Sequence, residues 1–237
     1  MPSTTPSSGH IDRSQFDSIP DTVQAFRNGE FVVVLDDPSR ENEADLIIAA
    51  EAVTTEQMGF LIRHTSGLVC APVLPARARE LALPPMVARN EDPRGTAYTV
   101  SVDAADARVS TGISAHDRAL ACRFLADDAG RSAADFRRPG HVFPLCAKPG
   151  GVRQRRGHTE AAIDLCRLAG KKPAAVISEL VDDGAEVPGR ALREAPGMLR
   201  GEACVAFARK WGLKVCTIAD LVEYLEKTEG KLPVNGS

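Results

Sequence analysis

An α+β (mixed α/β) fold, with one mixed β-sheet covered by helices in a single domain, is what this sequence predicts. Short β-branched runs alternate with amphipathic segments from one end to the other. Capping residues and glycine stops punctuate them. Across 237 residues no low-complexity linker and no internal repeat divides the chain.

In chain order, Ser18 can cap a helix that has Pro20 in its first turn and ends at Gly29. Phe31–Leu35 is apolar and β-rich, a buried strand, and Asp45–Ala50 reads as the next. Thr54 with Gln57 forms a capping box for a helix reaching Thr65. Gly67–Ala71 reads as a strand, 75–82 as a short helix, and Tyr98–Val102 as an alternating strand. Ser114 with Asp117 starts a helix that runs to Asp127, and Val142–Ala147 is a strand. Thr159–Leu168 has helical periodicity and stops at Gly170. Ala174–Val181 is a strand, and helices at 198–211 and 217–227 bracket the strand Leu213–Cys216. Residues 1–14 and 231–237 lack this patterning and are expected to be flexible tails around a domain at 15–230.

Composition excludes several classes. Apolar residues are 43% and charged residues 26%, as in a soluble globular protein. The formal net charge of -3 gives no general attraction to nucleic acid or an anionic membrane. No apolar run approaches the ~20 residues of a membrane span. Met1–Gly9 has no apolar core and no Arg, so neither a secretory nor a mitochondrial leader is expected. The six cysteines (Cys70, Cys122, Cys146, Cys166, Cys204, Cys216) are widely spaced and read as reduced thiols of a cytoplasmic protein.

Chemistry concentrates in five places. Asp36–Asp45 packs five carboxylates and Arg40 into ten residues. Such crowding needs a proton or cation to offset it, and hard oxygen ligands suit Mg²⁺ or Mn²⁺. On charge alone a solvated acidic turn is the favoured explanation. Arg153–Glu160 sets Arg155, Arg156, Gly157, His158 and Thr159 before a helix, which suits a small phosphate or, alternatively, a basic surface loop. In Arg138–Pro144 a Pro-Gly turn delivers His141 to the mouth of a strand, a position for an acid/base group, although a lone loop histidine is more often incidental. Ser110–Arg118 offers hydroxyls, Thr111 among them, at a helix start that is also a plain cap. Glu179 lies within the apolar strand Ala174–Val181, where a carboxylate is costly unless paired, coordinated, protonated or turned outward.

Taken in order, five segments resemble 3,4-dihydroxy-2-butanone 4-phosphate synthases. They are Arg40-Glu-Asn-Glu43 with Asp45, Thr111-Gly-Ile-Ser-Ala115 with Asp117-Arg118, Arg138-Pro-Gly-His-Val-Phe-Pro144, Gly157-His-Thr-Glu-Ala161 and Val176-Ile-Ser-Glu179. The resemblance spans about residues 18–227. Ala44 stands where most members have Gly, and Ser178 where Cys is common.

The resemblance implies conversion of D-ribulose 5-phosphate to L-3,4-dihydroxy-2-butanone 4-phosphate and formate in riboflavin biosynthesis. It also implies two divalent ions, Mg²⁺ or Mn²⁺. By motif match Glu41 and His158 ligate metal. Arg40, Glu41, Asp45, Arg155, Arg156, Gly157, His158, Thr159 and Glu179 contact substrate, with Arg155 and Thr159 on the phosphate. His141 and Glu179 are the acid/base positions. Glu43, Cys70 and Thr111 are further candidates, Glu43 as a support for the loop or a metal-bound water. The implied assembly is a homodimer with the site near the subunit boundary, His141 reaching the partner's pocket and the acidic loop acting as a lid. No room is expected for the GTP cyclohydrolase II domain that some members carry. Competing readings are a metal-dependent sugar-phosphate isomerase, a nucleotide-binding module and a non-catalytic relative. The first is separated by formate release, the second is disfavoured by the absence of a basic, aromatic groove, and the third by Glu41, His141, His158 and Glu179 all being intact.

Overall fold

The computed structural model describes residues 12–232. The expected tails fall outside it as far as residue 11 and from residue 233. Within it, Asp12 caps a 3-10 turn at Arg13–Gln15, and Arg13 pairs with Asp220 and Glu223.

Local signals set the helices. Ser18 caps α1 (Ile19–Arg27) by accepting from the Asp21 N–H. Thr54 and Gln57 form both bonds of the capping box of α2 (Thr55–His64). Ser114 caps α4 (Ala115–Ala126), and Gly170, in the left-handed conformation at φ 68°, ends α5 (His158–Ala169). The remaining helices are α3 (Pro75–Glu80), α6 (Glu202–Lys210) and α7 (Ile218–Glu229).

Seven strands form the main sheet: β1 (Val32–Leu35), β2 (Ala44–Ala49), β3 (Cys70–Val73), β4 (Val102–Ala104), β5 (Phe136–Cys146), β6 (Ala175–Glu179) and β11 (Lys214–Thr217). Their spatial order is β11-β1-β2-β6-β3-β5-β4. The pairs β1/β11 and β3/β5 are parallel and the other four are antiparallel, so the sheet is mixed as expected. Helices α1, α5 and α7 cover one face and α2, α4 and α6 the other. Two hydrophobic cores result, one on each side of the sheet. Two small ribbons complete the described fold: β7 (Val181–Asp182) with β10 (Gly197–Met198), and β8 (Ala185–Glu186) with β9 (Arg193–Glu194).

Three expectations need correction. The Pro139-Gly140 pair is no turn before a strand but lies inside β5. Val102 pairs with Val142 while Asp103 pairs with Arg137, so residues 138–141 loop out of the ladder between them. Gly140 permits this, because a Cβ there would lie 2.0 Å from the Val102 carbonyl carbon. The strand expected at Tyr98–Val102 is displaced to Val102–Ala104, leaving single bridges at Tyr98 and Thr99. The strand expected from Gly67 begins at Cys70, because Ser66 and Gly67 turn, with Gly67 at φ 75° and Thr65 Oγ1 accepting its N–H.

Candidate active site

Sheet alternation brings two carboxylates together. Asp45 and Glu179 are direct partners in the β2–β6 register. Ile47, Ala49, Ala175 and Ile177 share their parity and pack in the core under α5. Asp45 and Glu179 therefore stand at the end of that face, beside the N-terminus of α5.

Asp36 organises the loop between β1 and β2. Its side chain is fully buried and accepts from the backbone N–H groups of Glu41 (3.0 Å) and Glu43 (2.9 Å) and from Arg40 Nη1 (3.0 Å). Arg40 also donates to Glu41. Two of the loop's carboxylates, Asp36 and Glu41, thus share one guanidinium. Glu43 lies 3.6 Å from Arg200, and burial with the Glu41 charge raises its carboxyl above the usual range. Ala44 begins β2 without strain, its methyl buried in the core.

His158 opens α5 over this loop. Its Nε2 donates to the Val34 carbonyl at 3.1 Å. A carbonyl only accepts, so the neutral ring keeps its lone pair on Nδ1. Burial lowers the His158 pKa, against partial opposition from Asp36 and Glu41, which favours that neutral form. Nδ1 lies 3.6 Å from Asp45 Oδ1 and 3.9 Å from Glu41 Oε2. Asp45 is 2% exposed, and its Oδ1 has no hydrogen-bond partner. Burial first, then Glu179 and Glu41, push the Asp45 carboxyl well above its ordinary value.

These donors fit a hard divalent cation. Two atoms each ~2.1 Å from one ion are separated by roughly 3.0–4.2 Å in octahedral geometry, which spans the observed Nδ1–Oε2 distance. A cation would also satisfy the orphaned Asp45 oxygen and relieve the carboxylate crowding. Among the described residues no group of three or more His, Cys, Asp or Glu side chains is gathered as a cage, so such an ion would complete its shell from other oxygens.

The cationic side of the site is Arg155. Glu160, 1% exposed, receives Arg155 Nη1 at 2.6 Å and the Lys148 N–H at 2.9 Å. Thr96 Oγ1 and the Arg94 carbonyl accept from the rest of the guanidinium, and Arg94 in turn donates to the Arg40 carbonyl. Arg155 arches over Gly157, where a Cβ would lie 2.3 Å from its Nη1. Arg156 is exposed and Thr159 buried.

Glu179 is fixed by Ser66, whose Oγ donates to its carboxylate at 2.7 Å and whose N–H donates to its carbonyl at 2.8 Å. Ser178 donates to the Leu68 carbonyl, steadying the same turn. Cys70 is buried nearby, and burial with Glu179 and Asp45 raises its thiol well above the usual range. That makes it part of the floor and a poor thiolate. His141 stands on β5, two strands from Glu179, roughly 10 Å at ~4.8 Å per strand. Asp103 holds its ring at 2.9 Å, and the exposed Thr111 lies on the loop whose Gly112 packs against both.

Arg40, Glu41, Asp45, His158 and Glu179 are therefore gathered at one end of the sheet, with Arg155 and Gly157 just before α5 and Thr159 in its first turn. His141 and Thr111 form a separate group. Sequence reading missed Ser66, Asp103 and Thr96, and included Asp36 and Glu160 in their clusters without assigning them a role. Asp103 carried a weaker signal than Glu179, a carboxylate directly after the expected alternating strand Tyr98–Val102.

The chain is similar in sequence and fold to known proteins. Residues 20–224 match the family described as 3,4-dihydroxy-2-butanone 4-phosphate synthase. A protein of that name from Pyricularia oryzae is 71% identical over 232 residues, 98% of this chain and 99% of the relative. One from Schizosaccharomyces pombe is 51% identical over 210 residues, 88% of this chain and 97% of the relative. A crystal structure of a 3,4-dihydroxy-2-butanone 4-phosphate synthase in complex with two magnesium ions superposes with a TM-score of 0.90 at 72% identity, covering 92% of this chain and all of that one. A cation-free form gives 0.86 at 70% identity, covering 91% of this chain. With residues 20–224 matching the family and a relative 71% identical over 98% of the chain, the chain belongs to the 3,4-dihydroxy-2-butanone 4-phosphate synthase family.

Proposed function

We propose that this protein converts D-ribulose 5-phosphate into L-3,4-dihydroxy-2-butanone 4-phosphate and formate, as a lyase of riboflavin biosynthesis. The observation that carries the proposal is the group of Glu41, the His158 lone pair and the unpartnered Asp45 oxygen beside the N-terminus of α5. The reaction removes one carbon. Water leaves in a dehydration and returns in the step that releases formate, so none is consumed overall.

Arg155, Thr159 and the free N–H groups that open α5 hold the substrate phosphate, with Arg156 adding charge from the exposed side. Arg40 and Asp45 orient the sugar hydroxyls. Glu41 and His158 would hold divalent metal, Mg²⁺ (or Mn²⁺), with two ions per site proposed because the similar crystal structure is a complex with two magnesium ions. When bound, the metal supplies Lewis acidity toward the carbonyl and hydroxyl oxygens, which eases enolisation. Glu179 and His141 move the protons of enolisation, dehydration and rearrangement. Glu43 supports the loop.

His141 acts in the pocket of a partner subunit within a homodimer. A mixture of His141→Ala and Glu41→Ala proteins should then recover activity, through hybrid dimers that carry one intact site. No recovery counts against sharing. All six cysteines are free, and none of the described helices is long and apolar enough to cross a membrane.

Phosphorus NMR of ribulose 5-phosphate with the purified protein and Mg²⁺ tests the reaction. A new four-carbon phosphate ester should appear and should be blocked by EDTA. An isomerised pentose phosphate in its place would overturn the proposal.

A further inference from the structure

The looped-out residues 138–141 of β5 close onto β4 through a set of contacts that end on one side chain. The Gly140 N–H donates to Ser101 Oγ at 3.1 Å. The Gly140 Cα presses on the backbone of Val102 and Asp103, where a Cβ would come within 2.1 Å of the Asp103 nitrogen. Asp103 then uses both carboxylate oxygens on one residue. Oδ1 accepts the His141 backbone N–H at 2.8 Å, and Oδ2 accepts from His141 Nδ1 at 2.9 Å. Among the described residues His141 is the sole ion-pair partner of Asp103.

A roof covers the pair. Gly112, at φ 94°, lies so close that a Cβ would sit 2.1 Å from Asp103 Oδ2 and 2.6 Å from His141 Nδ1. The Gly112 N–H donates to Asp117 Oδ2, which also accepts from the Ser110 N–H and hydroxyl. Asp117 belongs to the first turn of α4, so the roof is anchored to a buried helix. Solvent reaches the two partners unequally. The Asp103 side chain is 12% exposed and the His141 side chain 41%. The carboxylate is the enclosed end of the pair and the imidazole the open end.

We infer that Asp103 is a positioning residue for His141, holding the imidazole with its proton on Nδ1 and its lone pair on the open Nε2. The inference rests on the reading of His141 as an acid/base group and explains why that group is competent. An unheld imidazole rotates and exchanges tautomers. Two bonds to one carboxylate, one from the main chain and one from the ring, fix both position and tautomer. An amide at position 103 keeps the shape and can still accept the His141 N–H through its oxygen. Its nitrogen then faces Nδ1 as a donor. That drives the ring proton to Nε2 and turns the basic lone pair away from the open side.

The test combines ¹⁵N-histidine NMR on the full chain with kinetics on ribulose 5-phosphate and Mg²⁺. Wild-type His141 should show the tautomer protonated on Nδ1, and Asp103→Asn the one protonated on Nε2. Asp103→Asn should lose on the order of 10²–10⁴ in kcat, the usual scale of a general acid/base, with KM changed by less than about threefold. Asp103→Glu should recover part of the loss. A wild-type ring protonated on Nε2 overturns the inference without reference to any variant. So does Asp103→Asn with kcat within about threefold of wild type while His141→Ala is inactive; the acid/base reading of His141 then survives. Activity retained in His141→Ala overturns both.

Discussion

Asp45→Asn should stabilise the metal-free protein near pH 8 while impairing turnover. Asp45 is buried, its Oδ1 is unpartnered, and Glu179 faces it across the β2–β6 register. An unsatisfied buried polar atom costs about 1–3 kcal/mol. An asparagine of the same shape removes one negative charge from the group, and its amide can donate to Glu41, Glu179 or the His158 lone pair. A gain of about 2 kcal/mol corresponds to roughly 4–8 °C in Tm for a chain of this size. Burial and neighbouring carboxylates raise the Asp45 pKa, so the folded state holds this proton more tightly than the unfolded state. Its contribution is intact below the ordinary carboxylate range and is lost as pH rises through the raised folded value. The difference between variant and wild type should therefore grow with pH. Thermal melts in EDTA from pH 5 to pH 8 read it. A variant less stable than wild type at pH 8, or a gain independent of pH, would refute the reasoning. With Mg²⁺ and substrate, loss of a charged hydrogen bond of about 1.5–3 kcal/mol should lower kcat/KM roughly 10–150-fold.

Ser66→Ala removes the hydroxyl that holds the Glu179 carboxylate; kcat should fall about tenfold, the equivalent of ~1.4 kcal/mol, with KM little changed in steady-state assays. Arg155→Ala should raise KM by about 30–150-fold through loss of ~2–3 kcal/mol of phosphate binding, and Arg155→Lys should restore part of it because a point charge remains. Gly140→Ala forces a methyl into the Val102 backbone and should lower stability by about 1–3 kcal/mol in urea titrations, with His141-dependent activity falling alongside.

What was legible in the sequence follows the range of the forces involved. Caps act over three or four residues, so Ser18, Thr54 with Gln57, Ser114 and Gly170 marked their helices correctly. The carboxylate crowding at 36–45 and the charge on Glu179 were visible because such groups are out of place locally. Their convergence was implied only by the family resemblance and not by local pattern, since it depends on the antiparallel register that sets Asp45 opposite Glu179. The Arg138–His141 bulge was read as a turn because Pro-Gly has turn chemistry, whereas the pairing of β4 with β5 decides its shape. The β8–β9 ribbon is exposed and carries no apolar alternation, so nothing local announced it. Ser66, Asp103 and Glu160 support other side chains. Such roles are set by neighbours 113, 38 and 5 residues away, and only the last of these is within reach of a local pattern.

The measurement that bears most directly on the account follows the fate of one carbon. Ribulose 5-phosphate carrying ¹³C at C4 is incubated with the purified protein and Mg²⁺ and followed by carbon NMR. The account predicts that the label leaves as formate, that EDTA stops its release, and that Glu41→Ala and His141→Ala each abolish it. Label retained in a sugar phosphate, with no formate formed by metal-loaded protein, would contradict it.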